Sequence, residues 1–153
     1  MSTAVTDLKF GQIPDLVGTR LQGEWFRVAD DRREMFDTAT YTDENVRTFV
    51  PSIYPDQLIE GFHLVGMLDH LTNQILRTDG HSTTGWNYGI NRVRFITPVT
   101  ANDRIRLNLT VQDVRPKGDG YVLTFDCVID HSASERPAFT AEWLVYWLPA
   151  RGQ

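Results

Sequence analysis

The sequence has a single cysteine, no long apolar run and no cluster of basic residues. One thiol, Cys127, can form neither an intrachain disulfide nor a cysteine-rich zinc site. The 15 basic and 20 acidic residues give a formal net charge of −5, which argues against nucleic acid as a partner. The most apolar stretch, residues 62–76, is broken by polar side chains such as His63, Asp69 and His70, so we expect no membrane span.

The start of the chain, MSTAVTDLKF, lacks the basic region and the apolar core of a secretory signal, so we expect a cytoplasmic protein. A length of 153 residues allows one core of ordinary size and is short for two. We therefore expect a single domain over residues 1–153, in which residues 1–20 are an N-terminal extension and residues 21–149 form the core.

Apolar residues recur every three or four positions between Asp30 and Leu76, which is typical of helices. The first such stretch, DDRREMFDTAT, places Met35, Phe36 and Ala39 on one side. The second predicts a long main helix over residues 61–76. We also expect a short strand near EWFRVA, at residues 24–29.

From Gly85 onward the period falls to two, which is typical of half-buried strands. RIRLNLTVQDV and YVLTFDCVIDH both alternate, and the turn residues KGDG between them predict an antiparallel hairpin. The last segment, AFTAEWLVYWL, is apolar on both faces, so it belongs in the sheet centre or against a partner chain. Trp143 and Trp147 are expected to pack the sheet.

The second half of the chain contains the segment NRVRFITPVTANDRIRLNLTVQDVRPKGDGYVLTFDCVID, followed by RPAFTAEWLVYWLP. These two segments closely resemble the second half of MaoC-like (R)-enoyl-thioester hydratases. In that family, Lys/Arg-Val-Arg-Phe-x-x-Pro-Val precedes a Gly/Asn-Asp-x-Ile/Leu turn, and the last strand carries Ala-x-Trp-Leu. Here these are residues 92–99, 102–105 and 141–144. The resemblance covers about residues 30–149 and implies an α+β hotdog domain, with a long central helix packed on an antiparallel sheet.

The family's catalytic segments are altered in this chain. The motif Phe-x-x-Ala-Thr-Gly-Asp-x-x-x-x-His reads FDTAT and then YTDENVRTFVPS, so Asp43 stands for the acid, displaced by one residue. Five positions later the chain has Thr48 instead of histidine. The histidine that precedes the glycine of the main helix in the family is Glu60.

The resemblance places Gly61 at the position whose amide holds the thioester carbonyl, although this glycine could also serve only a tight turn into the helix. Glu60 is a candidate acid or base, and its alternative role is to interact with the free amides of the helix start. Asp43 is a further candidate, unless TDEN is simply a capped short helix that ends at Pro51.

His63 and His70 are seven residues apart and could face one pocket, and His63 is a candidate acid or base. Histidines in such places are more often structural, and no third ligand lies at a metal-like spacing. We therefore expect no metal, and no cofactor. Aromatic candidates for lining the substrate site are Tyr41, Tyr54, Phe62, Trp86 and Tyr88.

Three functions remain open. The first is a hydratase or dehydratase of an acyl thioester, on coenzyme A or an acyl carrier, or of a related polyketide intermediate. The second is a thioesterase of the same fold. The third is a non-catalytic subunit or binding module. The resemblance and the doubly apolar EWLVYWL segment also predict at least a homodimer.

Overall fold

A five-stranded sheet forms the frame of the protein, as seen in a computed structural model that describes residues 4–45 and 53–151. The strand order is β2, β7, β8, β9, β5, and all neighbours are antiparallel. The expected α+β arrangement of one antiparallel sheet with packed helices is confirmed. The strands of this sheet are β2 (Arg20–Gln22), β5 (Thr83–Phe95), β7 (Ile105–Lys117), β8 (Gly120–His131) and β9 (Ser134–Pro149).

Alternation of side chains explains the long hairpin of β7 and β8. In β7, Ile105, Leu107, Leu109 and Val111 are buried while the residues between them are partly exposed or exposed. This is the pattern of a sheet with one face on the core, and it confirms the predicted hairpin. Strand β9 lies between β8 and β5, so the doubly apolar segment is in the sheet interior, as one of its two expected places.

Most of the helices come between β2 and β4 along the chain. Helix α1 (Asp30–Ala39) is followed by the short α2 (Thr42–Asn45). The main helix differs from the prediction because it forms two pieces, α3 (Gly61–Gly66) and α4 (Leu68–Asn73), interrupted at Met67. The chain continues in a helical course, since the Leu71 amide donates to the Met67 carbonyl, and it then enters β4 (Leu76–Thr78).

The N-terminal segment contributes to the core. Strand β1 (Val5–Leu8) pairs in parallel with β4, and a 3-10 helix over Phe10–Leu16 buries Ile13 and Leu16. The strand expected near residues 24–29 is wrong, because only an isolated bridge between Phe26 and Ile105 forms there. The strand that pairs with β7 is instead β2, Arg20–Gln22, which comes earlier in the chain.

Strand β5 is an edge strand and is exposed on both faces over most of its length. Two irregularities interrupt its pairing with β9, at 87–89 and at 91–94, and Arg92 there has a φ of 52°. A small second sheet, β3 (Leu58–Ile59) with β6 (Val99–Thr100), leads the chain into α3. Within the described residues, no helix is long and apolar enough to cross a membrane.

Candidate active site

The start of α3 leaves two backbone amides without an intrahelical role. The first amides to donate within the helix are those of His63 and Leu64, both to the Glu60 carbonyl. The amides of Gly61 and Phe62 precede them, as in any helix start, where such groups are available to another acceptor. Gly61 also has a packing reason to be glycine, because a Cβ there would lie 2.7 Å from the Phe95 ring. The oxyanion role of Gly61 stays a prediction beside this structural role.

Glu60 is partly buried at the junction between α1 and α3. Burial raises the pKa of its carboxyl, the charge of Asp37 raises it further, and a hydrogen bond with the Thr42 hydroxyl opposes the shift. Thr42 Oγ1 in turn lies 2.8 Å from Thr40 Oγ1. The side chain of Glu60 does not cap its own helix, so the structure does not support the alternative capping role.

His63 is buried under the aromatic ring of Phe36. Its exposed fraction is 8%, and the two rings stack at 4.5 Å with an interplanar angle of 9°. Burial lowers the pKa of His63, while the charge of Asp37 acts in the opposite direction. A fixed, neutral imidazole of this kind can accept a proton near neutral pH.

Asp37 joins this group, although the sequence reasoning did not select it. It lies on α1, where Arg33 Nη1 contacts its Oδ2 at 3.2 Å, and Arg33 is also held by Asp30 at 2.7 Å. Burial raises the pKa of Asp37, the charges of Arg33 and His63 lower it, and the charge of Asp43 raises it. The four-residue spacing of Arg33 and Asp37 was visible, but such pairs usually lie on a solvated helix face. We call Phe36, Asp37, Thr42, Glu60 and His63 the α1–α3 junction.

Two other predicted residues flank the α1–α3 junction. Asp43 is exposed in the first turn of α2, close enough for its charge to act on Asp37. Tyr41 is 69% exposed and has a φ of 61°, at the position where the family motif has glycine. Thr48 and Pro51, at the lost histidine position and the expected end of this helix, lie outside the described residues.

Four of the aromatic candidates divide among three cavities. Tyr54 and Phe62 line a cavity of about 440 Å³ that also includes Gly61 and Phe95, so they lie beside the start of α3. Trp86 lines a different cavity, which it shares with Asp69. Tyr88 lines a third, with Val65 and Asp69 among its walls, and Lys117 Nζ donates to its hydroxyl at 3.0 Å. The structure therefore brings only the first pair to the cavity at Gly61.

His70 does not join His63. Its ring lies 5.1 Å from that of Phe26, beside a cavity formed by β2 and α4. Among the described residues, no group of three His, Cys, Asp or Glu side chains is placed to hold a metal ion.

Comparisons with known proteins were made by sequence and by fold. Nodulation protein N of Rhizobium leguminosarum bv. viciae is 26% identical over 145 residues, which are 90% of each chain. The 3-hydroxyacyl-thioester dehydratase Z of Mycobacterium tuberculosis is 26% identical over 134 residues, which are 83% of this chain and 87% of the dehydratase. No protein-family model matches the chain.

Solved structures share the fold over most of the chain. The monoamine oxidase regulatory protein of Archaeoglobus fulgidus has a TM-score of 0.68 and 20% identity, covering 99% of this chain and 100% of that one. The (R)-hydratase of A. caviae has a TM-score of 0.60 and 17% identity, covering 84% of this chain and 94% of the hydratase. The chain is therefore a hotdog protein, its resemblance to the MaoC-like (R)-hydratases is confirmed in fold, and its sequence is similar to that of a 3-hydroxyacyl-thioester dehydratase.

Proposed function

We propose that the chain is a hydratase or dehydratase of acyl thioesters and that the α1–α3 junction is its active site. The observation that carries the proposal is that Glu60 and His63 both interact with Asp37 at the start of α3, where the amides of Gly61 and Phe62 have no intrahelical acceptor. The 26% identity to a 3-hydroxyacyl-thioester dehydratase supports it. An acid, a base and a pair of amides are the groups that water addition next to a thioester carbonyl requires.

The amides of Gly61 and Phe62 polarise the thioester carbonyl. This makes the β-carbon of an enoyl thioester electrophilic and stabilises the negative charge that moves to the carbonyl oxygen when water adds. In the hydration direction, a base takes a proton from the water and an acid delivers one to the α-carbon. His63 serves as the base because its pKa is lowered by burial, and Glu60 serves as the acid because its pKa is raised by burial and by Asp37. Dehydration reverses both transfers.

The hydroxyl group next to Glu60 acts against its role as the acid. The hydrogen bond with Thr42 lowers the pKa of Glu60, whereas burial, the largest cause, and the charge of Asp37 raise it, and the net shift is upward. Thr42 Oγ1 also lies 2.8 Å from Thr40 Oγ1, whose hydrogen goes to the Phe36 carbonyl at 2.8 Å.

The cavity at Gly61 provides a place for the acyl group. Its volume of about 440 Å³ lies within the roughly 300–1,000 Å³ of small-molecule sites. Its walls include the rings of Tyr54, Phe62 and Phe95, which suit an apolar chain or ring. An acyl group carried by coenzyme A or by an acyl carrier, including a bulky polyketide-type group, fits this chemistry.

A homodimer remains part of the proposal, but the structure changes its basis. Because β9 is already paired on both edges, it offers no strand edge to a partner; its Trp143 and Val145 are buried within one chain, while Leu144 and Tyr146 on the opposite face are half-buried. The surface that still needs a partner is β5, whose outer edge is unpaired and whose Trp86 and Ile90 are exposed. Light scattering at micromolar concentration measures this, and Ile90→Glu should shift the protein towards monomer. A wild-type monomer would contradict the prediction.

A panel of enoyl and 3-hydroxyacyl thioesters tests the chemistry. Loss or gain of the conjugated enoyl absorbance without release of free thiol is the expected result. Thiol release would replace the proposal with a thioesterase. Binding of thioesters without either signal would replace it with a binding module.

The role of Glu60 is tested separately with Glu60→Gln. The amide cannot deliver a proton, so we expect turnover to fall by about two to four orders of magnitude, the usual worth of an acid or base. Glu44→Gln, an exposed acid on α2, is the matched control and should leave turnover unchanged. An unchanged rate in Glu60→Gln would transfer the role to Asp43 or His63.

A further inference from the structure

Two buried polar atoms of the α1–α3 junction are unpaired. Among the described residues, Asp37 Oδ1 and His63 Nδ1 are buried and have no hydrogen-bond partner. The atoms belong to different helices, α1 and α3, and the charges of the two groups interact, so both side chains face one region. A buried polar atom without a partner costs free energy, and proteins retain such atoms chiefly where they bind something.

Both side chains are held in place by their other contacts. Arg33 binds the second oxygen of Asp37, which leaves Oδ1 as the atom turned away from the ion pair. Phe36 stacks on the imidazole of His63 and fixes the plane of its ring. The carboxylate of Asp37 and the ring plane of His63 are therefore restrained, which favours a preorganised binding site.

We propose that Asp37 is a catalytic residue, and that Asp37 Oδ1 and His63 Nδ1 together bind the water that adds to, or leaves from, the β-carbon of the acyl thioester. This inference rests on the proposed function and extends it by a residue that the family motif does not mark. A water molecule has two hydrogens, one for the carboxylate oxygen and one for the unprotonated imidazole nitrogen. The pair thus matches water in number and in kind of contact.

The reaction is balanced with these groups alone. In hydration, His63 carries its ring hydrogen on Nε2, so its Nδ1 takes one proton from the water. Asp37 Oδ1 accepts a hydrogen bond from the other hydrogen of the water. The water oxygen bonds to the β-carbon, and the electron pair of the double bond moves towards the thioester carbonyl. Glu60 gives its proton to the α-carbon as the carbonyl re-forms. A proton passes from His63 back to Glu60 through solvent, which restores both groups.

The competing explanation is that Asp37 only completes an ion-pair row on α1 with Asp30 and Arg33. Glu34 offers a matched control, because it is on the same helix and its carboxylate lies 3.6 Å from Arg33, but its side chain is 67% exposed. A merely structural role predicts that Asp37→Asn and Glu34→Gln change stability slightly and turnover hardly at all.

The test is Asp37→Asn, assayed with the thioester that wild-type protein turns over best. We expect kcat to fall by about 10²–10⁴-fold with little change in KM, because the water and not the acyl chain loses its contact. Glu34→Gln should keep wild-type kcat. The double variant Asp37→Asn/His63→Gln should be no more impaired than the worse single variant, since both groups act on one water.

Four results would separate the failures. If wild-type protein is active and Asp37→Asn keeps its kcat within about threefold, this inference fails while the proposed function stands. Losses that multiply in the double variant would also overturn it, because they indicate independent roles. If wild-type protein turns over no thioester, the proposed function fails and this inference fails with it. Should Asp37→Asn not fold, Asp37→Glu keeps the charge but displaces it, and undiminished kcat there would overturn the inference.

Discussion

Replacement of Gly61 by alanine separates the packing role of this residue from its predicted catalytic role. A Cβ at this position would lie 2.7 Å from the nearest carbon of the Phe95 ring, whereas ordinary contacts begin at 3.4 Å. The ring has to retreat by about 0.7 Å, and it is bordered by Phe62 at 6.1 Å and by the fully buried Phe139 at 6.0 Å, measured between ring centroids. The backbone is not in the left-handed region, so alanine itself is tolerated there.

The expected cost follows from these contacts. Overpacking a site usually costs about 1–3 kcal/mol. Phe95 is 50% exposed and can move partly towards solvent, and alanine gains somewhat less than about 1 kcal/mol of helix propensity over glycine in the first turn. We therefore expect Gly61→Ala to lower the free energy of unfolding by about 1–2 kcal/mol, which lowers Tm by about 2–8 °C.

Thermal and urea unfolding measure this, with Gly66→Ala as the matched control. Gly66 is in the same helix, but a Cβ there meets nothing within 4 Å, so the same change should stabilise the protein by up to about 1 kcal/mol. In a Phe95→Ala background the cost of Gly61→Ala should vanish. Equal effects at Gly61 and Gly66, or a cost that persists without the Phe95 ring, would refute the reasoning. If the free energy of unfolding is restored in the double variant while turnover stays low, the absence of a side chain at Gly61 has a role beyond packing, because alanine keeps the amide and obstructs only the approach of the acyl group.

Three further predictions concern stability. Gly120→Ala should cost more than about 3 kcal/mol of unfolding free energy, because the new Cβ would collide with the Trp147 carbonyl of the neighbouring strand; an effect below about 1 kcal/mol by urea unfolding would contradict this. Burial lowers the pKa of His63 below the ordinary 6.5. Between the lowered pKa and 6.5 the unfolded chain therefore binds more protons than the folded chain, so the free energy of unfolding falls as the pH is lowered through this window. The urea midpoint should therefore fall less in His63→Gln than in wild-type protein when the pH is lowered from about 7.5 to 5.5. His81→Gln, an exposed control, should show the same fall as wild-type protein. Tyr41→Gly should raise the unfolding free energy by about 1 kcal/mol, because a φ of 61° is costly for tyrosine and free for glycine; Tyr41→Ala, which keeps that cost, should not.

The sheet could be predicted from the sequence because its signals are local. Alternation in β7 and β8 and the KGDG turn between them determine which faces are buried and how the strands pair. The strand expected near residues 24–29 is replaced by an isolated bridge, and EWFRVA has no regular alternation. The short segment at Arg20–Gln22 lacks any long pattern and is a strand only because β7 offers it a free edge.

The site was predictable only in part. Glu60 and Gly61 could be located because a motif places them at the start of a helix, and that start was found within a residue of its predicted place. Asp37 could not, because its proposed role depends on how α1 packs across α3, which no periodicity encodes. An arginine and an aspartate four residues apart look like any solvated pair until the neighbouring helix buries one oxygen of the carboxylate.

The altered motif keeps more of its backbone than of its side chains. Where the family has glycine, this chain has Tyr41, yet its φ of 61° is the conformation that glycine adopts without cost. The next residue, Thr42, occupies the acid position of the motif and directs its hydroxyl to Glu60, which itself replaces the family's histidine. The turn thus brings the Thr42 hydroxyl to the Glu60 carboxyl at the helix start. Because a threonine cannot carry a charge or exchange a proton near neutral pH, the proposed acid–base chemistry requires Glu60 and the neighbouring Asp37 and His63.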